Sequence, residues 1–212
     1  MAEDILATAL LDFLEVATHE FLYHWRIYPQ GLFDKWKKYD VPVHICRHPK
    51  LVEYIRSMLQ SCRPWIVQGR VDKLSIAVRS TTTGALLDTC VFELRLTTFS
   101  GKEMPKLQVE EAFRRSLVQL SAAALSRDGR SMDDERTFRL FLHTLEDSDM
   151  HETLVSDDSI ENSWILAPRE ELSVSQAGVV PVASISETAL PIQLNMYLVS
   201  PHVVSASSTS LS

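Results

Sequence analysis

Apolar residues recur at every fourth position near the start of the chain, between residues 5 and 25. The recurring positions are Ile5, Ala9, Phe13, Ala17, Phe21 and Trp25. An α-helix repeats every 3.6 residues, so this spacing predicts one helix with an unusually wide buried face. Pro29 and Gly31 follow, and we expect the helix to end before them because proline cannot continue the hydrogen-bond ladder.

Two further segments have helical spacing. The first begins at Pro49, a residue suited to the first turn of a helix, and is expected to end at Pro64. The second runs from about 107 to 125 and is followed by "SRDGR", whose glycine is a typical helix stop. Residues 32–48 are predicted to form a loop between the first two helices. The sequence therefore predicts three helices.

Alternation of apolar and polar residues marks the strands. The segments "KLSIAVRS" and "CVFELRL" alternate on either side of a threonine-rich turn with Gly84, and they predict a β-hairpin. A further strand is expected to have Phe138, Leu140 and Leu142 on one side. The segment "LPIQLNMYLV" near the end of the chain has the clearest alternation, so a strand is expected there as well.

An acidic and polar stretch separates the late strands from the rest of the chain. Residues 146–163, around "EDSDMHETLVSDDSIEN", are predicted to be a flexible connector. A chain that leaves its core and returns late to add strands has a last part that could open and close. We expect a single domain over 1–212, with its core at about 5–145, a connector and late strands at 146–199, and a frayed serine-rich tail at 200–212.

Length and charge limit the possible functions. The 212 residues suffice for one domain, and a net charge of -7 disfavours direct, tight binding of nucleic acid because phosphates would be repelled. The three cysteines form no CxxC pair, which fits a reducing compartment. The acidic start resembles no signal peptide, and no apolar run is long enough to span a membrane. We expect a cytosolic or nuclear protein.

Candidate sites for chemistry are few. His44, Cys46 and His48 alternate as zinc ligands on a strand could, but a fourth ligand is not evident, so we expect no metal site and no cofactor. The run "KWKKY" at 35–39 could track phosphates, although an acidic protein partner fits the net charge better. No GxSxG, HExxH or Walker loop is present, and the acidic residues of the connector keep their water. We therefore expect no enzyme, and a small hydrolase would require a reactive pair that we do not find.

Three aromatic residues stand near predicted element boundaries. They are Tyr28, Tyr54 and Trp164. One interpretation is ordinary packing, since aromatic side chains bury large areas wherever they lie. The other is a slot lined by aromatic rings that accepts a proline-containing peptide. The residues alone leave both interpretations open.

Residues 13–55, "FLEVATHEFLYHWRIYPQGLFDKWKKYDVPVHICRHPKLVEYI", resemble the N-terminal signature of the HORMA-domain family. Weaker matches are "AFRR" in the third helix, "WILA" after the acidic stretch, "VVPV" and "IQL", so the resemblance extends from 5 to about 199. It implies an α+β fold with three helices packed on a mainly antiparallel sheet. It also implies a C-terminal segment that wraps over a bound peptide as a safety belt, the peptide adding a strand to the sheet.

Within the family, the chain resembles the branch that serves translesion DNA polymerase zeta as a noncatalytic subunit. This implies a nuclear adaptor in DNA damage tolerance, with a cytoplasmic pool as a second compartment. The implied partners are a proline-containing peptide of the polymerase zeta catalytic subunit, the C-terminal domain of a translesion scaffold polymerase, and a second HORMA protein in a homo- or heterodimer. The alternative is a HORMA adaptor in spindle or meiotic checkpoint control.

The resemblance also assigns roles to residues. Tyr28, Tyr54 and Trp164 match positions at the peptide slot. The match to the scaffold-contacting surface consists of Val179 and Gln193, with Tyr197 as the tyrosine nearest to the expected position, which is Asn195 here. The match to the dimerisation surface is Arg114, for which a solvated helix charge is the other interpretation.

Overall fold

The computed structural model describes residues 2–96, 105–125, 135–145, 151–157, 163–167, 177–186 and 190–201. The helices are α1 (Ala2–His24), α2 (Pro49–Ser61), α3 (Arg63–Val67) and α4 (Lys106–Leu125), with a 3₁₀ turn at Gln30–Leu32. The strands are β1 (Phe33–Lys38), β2 (Val41–Cys46), β3 (Val71–Ser80), β4 (Leu86–Leu96), β5 (Arg136–Leu145), β6 (His151–Asp157), β7 (Ser163–Leu166), β8 (Ala177–Ile185) and β9 (Ile192–Pro201). None of these helices is long and apolar enough to cross a membrane.

Seven strands form one antiparallel sheet in the order β7-β6-β5-β3-β4-β9-β8. The β3–β4 hairpin, which the alternating pattern predicts, lies at its centre. Strands β7 and β8 are the two outermost strands, yet they follow each other along the chain. The chain therefore passes from one edge of the sheet to the other between Leu166 and Ala177, and the C-terminal strand β9 pairs with β4.

Helix α1 lies in the centre of the core. Residues 16–22 are all buried, so every side of this part of the helix is covered, whereas Asp4, Thr8 and Asp12 expose one side of its first half. The ring of Phe13 stacks on that of Phe113 in α4, with centroids 4.4 Å apart. The buried residues of the central strands, such as Ile76 and Phe92, belong to the same core cluster. The apolar face predicted for the first helix is buried except at Ile5, which is 47% exposed, and the fold is α+β as expected.

The predicted loop at 32–48 is wrong, because the structure has a two-stranded ribbon there. Strands β1 and β2 pair from Phe33 with Cys46 to Lys38 with Val41. The turn between them places Tyr39 and Asp40 at φ 48° and 62°, the left-handed conformation that a two-residue hairpin turn requires. The turn contains no glycine and β1 is mostly exposed, so neither a turn signal nor an alternating apolar pattern marked the ribbon.

The predicted flexible connector is also partly structured. Strand β6 and the first residue of β7 lie within 146–163, and β6 pairs with β5 from Val155 with Phe141 to His151 with Leu145. The ladder to β5, the ladder between β6 and β7, and a hydrogen bond of 2.8 Å from Ala167 N to Thr153 O hold this ribbon. The remaining parts of the predicted connector, 146–150 and 158–162, and the tail after 201 lie outside the described residues.

Helix α3 is a third difference from the sequence prediction, which gave three helices. Pro64 was expected to stop the second helix, and α2 does end at Ser61. The same proline, however, stands in the first turn of α3, where its missing N–H costs nothing. The proline thus separates two helices, and three long helices accompany one of five residues.

Candidate functional site

A cavity of about 450 Å³ opens between the start of α2, the segment after α1 and the first half of β5. Its floor and walls combine aromatic, aliphatic and polar side chains. The lining residues are Tyr28, Leu32, His48, Lys50, Leu51, Tyr54, Thr137 and Phe138. Such a mixture, mostly apolar with a few polar groups, is typical of sites that bind a ligand in a defined orientation.

Phe138 organises the aromatic part of this cavity. The ring of Tyr28 meets it edge to face, with centroids 6.3 Å apart and an interplanar angle of 79°. Tyr54 does the same from α2, at 6.0 Å and 73°. Both tyrosines are half-buried, so each ring packs on the core and also presents a surface to the cavity. Edge-to-face packing of this kind fixes ring orientation.

The sheet beside the cavity has a segment available for pairing. The ladder between β5 and β6 runs over Phe141–Leu145. Thr137 and Phe138, which line the cavity, pair with Arg79 and Val78 of β3 on one side. On their other side no strand within the described residues pairs with them. An extended peptide could add a strand at this point, because the main-chain groups of an edge are ready partners.

Helix α2 connects the cavity to the β6–β7 ribbon through two hydrogen bonds. Tyr54 Oη donates to Ser156 Oγ at 2.8 Å, and Trp164 Nε1 donates to Ser61 Oγ at 2.8 Å. Tyr54 and Ser61 are seven positions apart, two helical turns, so they lie on the same face of α2. Ser156 and Trp164 are partners across the β6–β7 ladder. The ribbon is therefore fastened along one side of the helix.

The structure brings two of the three predicted slot residues together. Tyr28 and Tyr54 line the same cavity, whereas Trp164 lies on the ribbon and is not among its lining residues. Four other lining residues were not predicted as site residues from the sequence, namely Lys50, Leu51, Thr137 and Phe138. Phe138 was recognised as a strand residue, but the sequence carries no signal that places it against α2.

The bond between Trp164 and Ser61 can be tested by its energy. We expect Trp164→Phe and Ser61→Ala each to lower the free energy of unfolding by about 1 kcal/mol, the usual net worth of a neutral hydrogen bond. Because both variants remove the same bond, the double variant should lose less than the sum of the two. Urea denaturation of the four proteins measures this coupling. Strict additivity would contradict the bond.

The residues predicted to contact a scaffold polymerase share one surface. Val179 of β8 is 59% exposed, Gln193 of β9 is exposed, and Tyr197 is half-buried. The ladders pair Val179 with Val199 and Pro181 with Tyr197, which places these side chains on the face of the sheet opposite the core. The structure thus gathers the predicted residues, and their role stays a prediction.

Glu93 of β4 anchors this surface. Its carboxylate accepts a hydrogen bond from Tyr197 Oη at 2.9 Å and one from Asn195 Nδ2 at 3.4 Å. Burial, together with the neighbouring carboxylate, raises the pKa of the Tyr197 phenol, so the hydroxyl remains a donor at neutral pH. Asn195, which replaces the expected tyrosine, therefore has a defined place in the network.

The other candidate residues lie apart from the cavity or have different partners. Arg114 on α4 is half-buried and forms an ion pair with Glu111 at 3.5 Å. This contact is compatible with an ordinary charge on the helix surface, and the role of Arg114 in dimerisation stays a prediction. Of the histidine–cysteine triplet, Cys46 is buried in the core and His48 lines the cavity. His44 instead contacts Glu20 of α1.

The lysine run lies on the β1–β2 ribbon and faces solvent. Lys37 pairs with Asp40 at 2.7 Å and Lys38 with Asp12 at 3.8 Å, while Trp36 is 63% exposed. The Lys37 ammonium, through a hydrogen bond and its charge, lowers the pKa of Asp40. Two of the three lysines are thus balanced by acids, which weakens the case for a phosphate-binding surface.

Comparison with known proteins shows which of them the chain is similar to. No protein-family model matches the chain. Its sequence is 30% identical over 195 residues to the mitotic spindle assembly checkpoint protein MAD2B of Danio rerio, covering 90% of this chain and 89% of that protein. It is 42% identical over 67 residues to the DNA polymerase zeta processivity subunit of Schizosaccharomyces pombe, covering 32% of each.

Solved structures show the same fold. A chain in the crystal structure of the mitotic checkpoint complex matches with a TM-score of 0.71 at 20% identity, covering 92% of this chain and 97% of that one. C. elegans HTP-2 bound to the HIM-3 closure motif matches with a TM-score of 0.65 at 11% identity, covering 94% and 91%. The sequence relationship and the shared HORMA fold together show that the chain belongs to the MAD2B family of HORMA-domain proteins.

Proposed function

We propose that this protein is a noncatalytic adaptor that clasps an extended, proline-containing peptide. The observation that supports this best is the cavity at Tyr28, Tyr54 and Phe138, beside the part of β5 that β6 does not cover. A peptide strand laid along Thr137 and Phe138 would gain affinity from main-chain hydrogen bonds. Its proline would find aromatic faces in the cavity, which give selectivity.

The course of the C-terminal segment fits such a clasp. Strand β9 pairs with β4 over eight residue pairs, from Thr89 with Val199 to Leu96 with Ile192, and β8 pairs outside it. The chain reaches this position by crossing from the β7 edge to the β8 edge, so the polypeptide on both sides of the crossing is held by ladders.

The names of the relatives suggest where the adaptor acts. One relative is a DNA polymerase zeta processivity subunit, and we propose that this chain acts with polymerase zeta in the nucleus and takes its peptide from the catalytic subunit. The surface with Val179, Gln193 and Tyr197 would then receive the C-terminal domain of a translesion scaffold polymerase. Checkpoint control is the second candidate, because other relatives bear the name of a spindle assembly checkpoint protein.

The clasp can be tested at Tyr54. We expect Tyr54→Ala to weaken binding of a proline-containing peptide from the polymerase zeta catalytic subunit by at least about thirtyfold, since a central aromatic anchor is commonly worth about 2 kcal/mol. Lys37→Ala, on the exposed ribbon, should change it by less than about threefold. Isothermal titration calorimetry gives both affinities, and thermal unfolding shows whether each variant is folded.

Two further variants make the result specific. Tyr54→Phe keeps the ring but loses the bond to Ser156, so it should bind far better than Tyr54→Ala if the ring is the anchor. Tyr28→Ala should resemble Tyr54→Ala, because both rings line the cavity. Folded Tyr54→Ala and Tyr28→Ala variants that bind as tightly as the parent would show that the cavity is not the slot. Binding of a checkpoint-protein peptide in preference would favour the second candidate.

A further inference from the structure

A buried carboxylate with two imidazoles lies between α1 and the β1–β2 ribbon. Glu20 Oε2 is 3.0 Å from His24 Nε2, and Glu20 Oε1 is 3.1 Å from His44 Nδ1. One donor atom from each of the three residues lies within 4.8 Å of the others. This cluster is separate from the peptide cavity, and no role described above uses it.

The local fold holds the three side chains in place. Glu20 and His24 are one turn apart on α1 and therefore project from the same side, while His44 comes from β2. The ring of Tyr23 stacks on that of His44, with centroids 3.6 Å apart and planes 5° from parallel. The main-chain N–H of His44 also donates to Glu20 Oε1. Little freedom remains to either His44 or Glu20.

The burial of Glu20 requires a compensating charge. Its side chain is 2% exposed, whereas those of His24 and His44 are 15% and 17% exposed. A carboxylate removed from water is costly unless it is paired or bound to a metal. A divalent cation between the three groups would supply the charge, with the imidazole nitrogens as ligands.

We propose that Glu20, His24 and His44 bind a divalent transition metal of the zinc class. Two histidines and one carboxylate are a familiar ligand set for zinc, which leaves a fourth position for water or another ligand. Zinc–ligand bonds of about 2.0–2.1 Å in a tetrahedron set the donors roughly 3.4 Å apart. The two carboxylate–imidazole separations lie close to that value, although they end on different oxygens of Glu20, and the three donor groups lie within 4.8 Å of one another.

Ser121 of α4 belongs to the surroundings of the site. Its Oγ lies 3.2 Å from His24 Nε2 and donates to Leu117 O at 3.1 Å. The hydroxyl oxygen is thus directed to the cluster and can support a water in the fourth position. A metal here would link α1 to the β1–β2 ribbon. In the sequence this ribbon lies between Leu32 and His48, two residues that line the cavity.

The first test is metal uptake by the full chain, with any affinity tag removed and after treatment with a chelator. Titration with zinc chloride should show binding of one zinc per chain and a rise in melting temperature. Glu20→Gln, His24→Gln and His44→Gln should each weaken zinc binding by more than about a hundredfold, which exceeds the roughly 10- to 100-fold effect of changes outside the ligand set. The control His48→Gln should leave zinc binding unchanged.

Cobalt provides the second readout, since its visible spectrum reports the ligands. The cobalt form should lack the thiolate charge-transfer band, and Cys46→Ser should leave its spectrum unchanged, because no sulfur belongs to the proposed set. If Glu20→Gln does not fold, the more exposed His24→Gln decides the question. A folded parent that takes up no zinc, or zinc binding that survives His24→Gln, or a thiolate band lost in Cys46→Ser, would overturn the proposal.

Discussion

Asp88→Ala should lower the free energy of unfolding by about 3 kcal/mol and loosen the C-terminal strand β9. Asp88 is 1% exposed. Its Oδ2 accepts a hydrogen bond from Trp25 Nε1 at 2.7 Å, and its Oδ1 accepts one from Ser200 Oγ at 2.8 Å. Trp25 directly follows α1 and Ser200 lies in β9. One carboxylate therefore ties the central helix, strand β4 and the last strand of the fold together.

The magnitude follows from the donors that would be left behind. Hydrogen bonds to a charged group contribute about 1.5–3 kcal/mol each, and a buried donor without an acceptor costs about 1–3 kcal/mol. Alanine leaves both the Trp25 indole N–H and the Ser200 hydroxyl without the carboxylate. Ser200→Ala removes only one of these two bonds to Asp88, so it should cost less. Asp88→Asn keeps an oxygen acceptor and should fall between the two.

Chemical denaturation measures the loss, and hydrogen exchange locates it. In Asp88→Ala, amides of β9 should exchange faster than those of β3 and β5, because β9 loses the side-chain bond between Ser200 and Asp88 and then opens first. In Ser200→Ala the same strand should be affected to a smaller degree. Uniform acceleration over the whole sheet, or none in β9, would show that Asp88 stabilises the core without holding the C-terminal segment.

The pattern of apolar residues predicted the elements that bury one face. Seven elements lie near their expected positions, namely α1, α2, α4, β3, β4, β5 and β9. Each has a periodic set of apolar residues that faces the common core. The ribbons β1–β2 and β6–β7 escaped prediction for a physical reason. Strand β1 buries only Phe33, and β6–β7 is fastened by distant side chains of α2, so neither depends on a local apolar pattern.

The sites differ in how much the sequence reveals of them. Tyr28 and Tyr54 could be selected from their positions and from the resemblance, but their meeting at Phe138 depends on how α2 crosses β5. Asp88 did carry a signal. Its parity places it on the same side of β4 as Cys90 and Phe92, and a carboxylate on the buried face of a strand requires a partner. The partner itself could not be predicted.

Glu20 and His24 carried a signal of the same kind. They stand four positions apart in a largely apolar part of the helix, a spacing that brings two side chains together. The wide apolar face of α1 concealed it, since the segment 16–22 is buried on all sides and therefore buries its polar residues as well. His44, the third member, reaches the pair only because β1 and β2 form a ribbon that was predicted to be a loop.

His19 is another buried polar residue of α1, and it makes the free energy of unfolding depend on pH. It is fully buried, and neither ring nitrogen has a hydrogen-bond partner among the described residues. Burial, reinforced by the charge of Arg56, lowers the pKa of His19 from 6.5 to about 4. The folded protein thus resists protonation at this site, whereas the unfolded chain accepts a proton at an ordinary pH.

As the pH falls from about 6.5 to about 4, the unfolded state therefore binds a proton that the folded state does not, and stability is lost throughout this window. The loss from this one residue should approach about 3 kcal/mol, since each pKa unit is worth about 1.4 kcal/mol. His19→Leu, a change of similar volume, should remove that part of the slope and leave the stability at pH 7 equal or higher. Thr18→Ala, which perturbs the neighbouring buried position but keeps the histidine, should retain the slope of the parent. Urea denaturation of the three proteins between pH 4 and 7 measures this, and an unchanged slope in His19→Leu would show that His19 is not the group responsible.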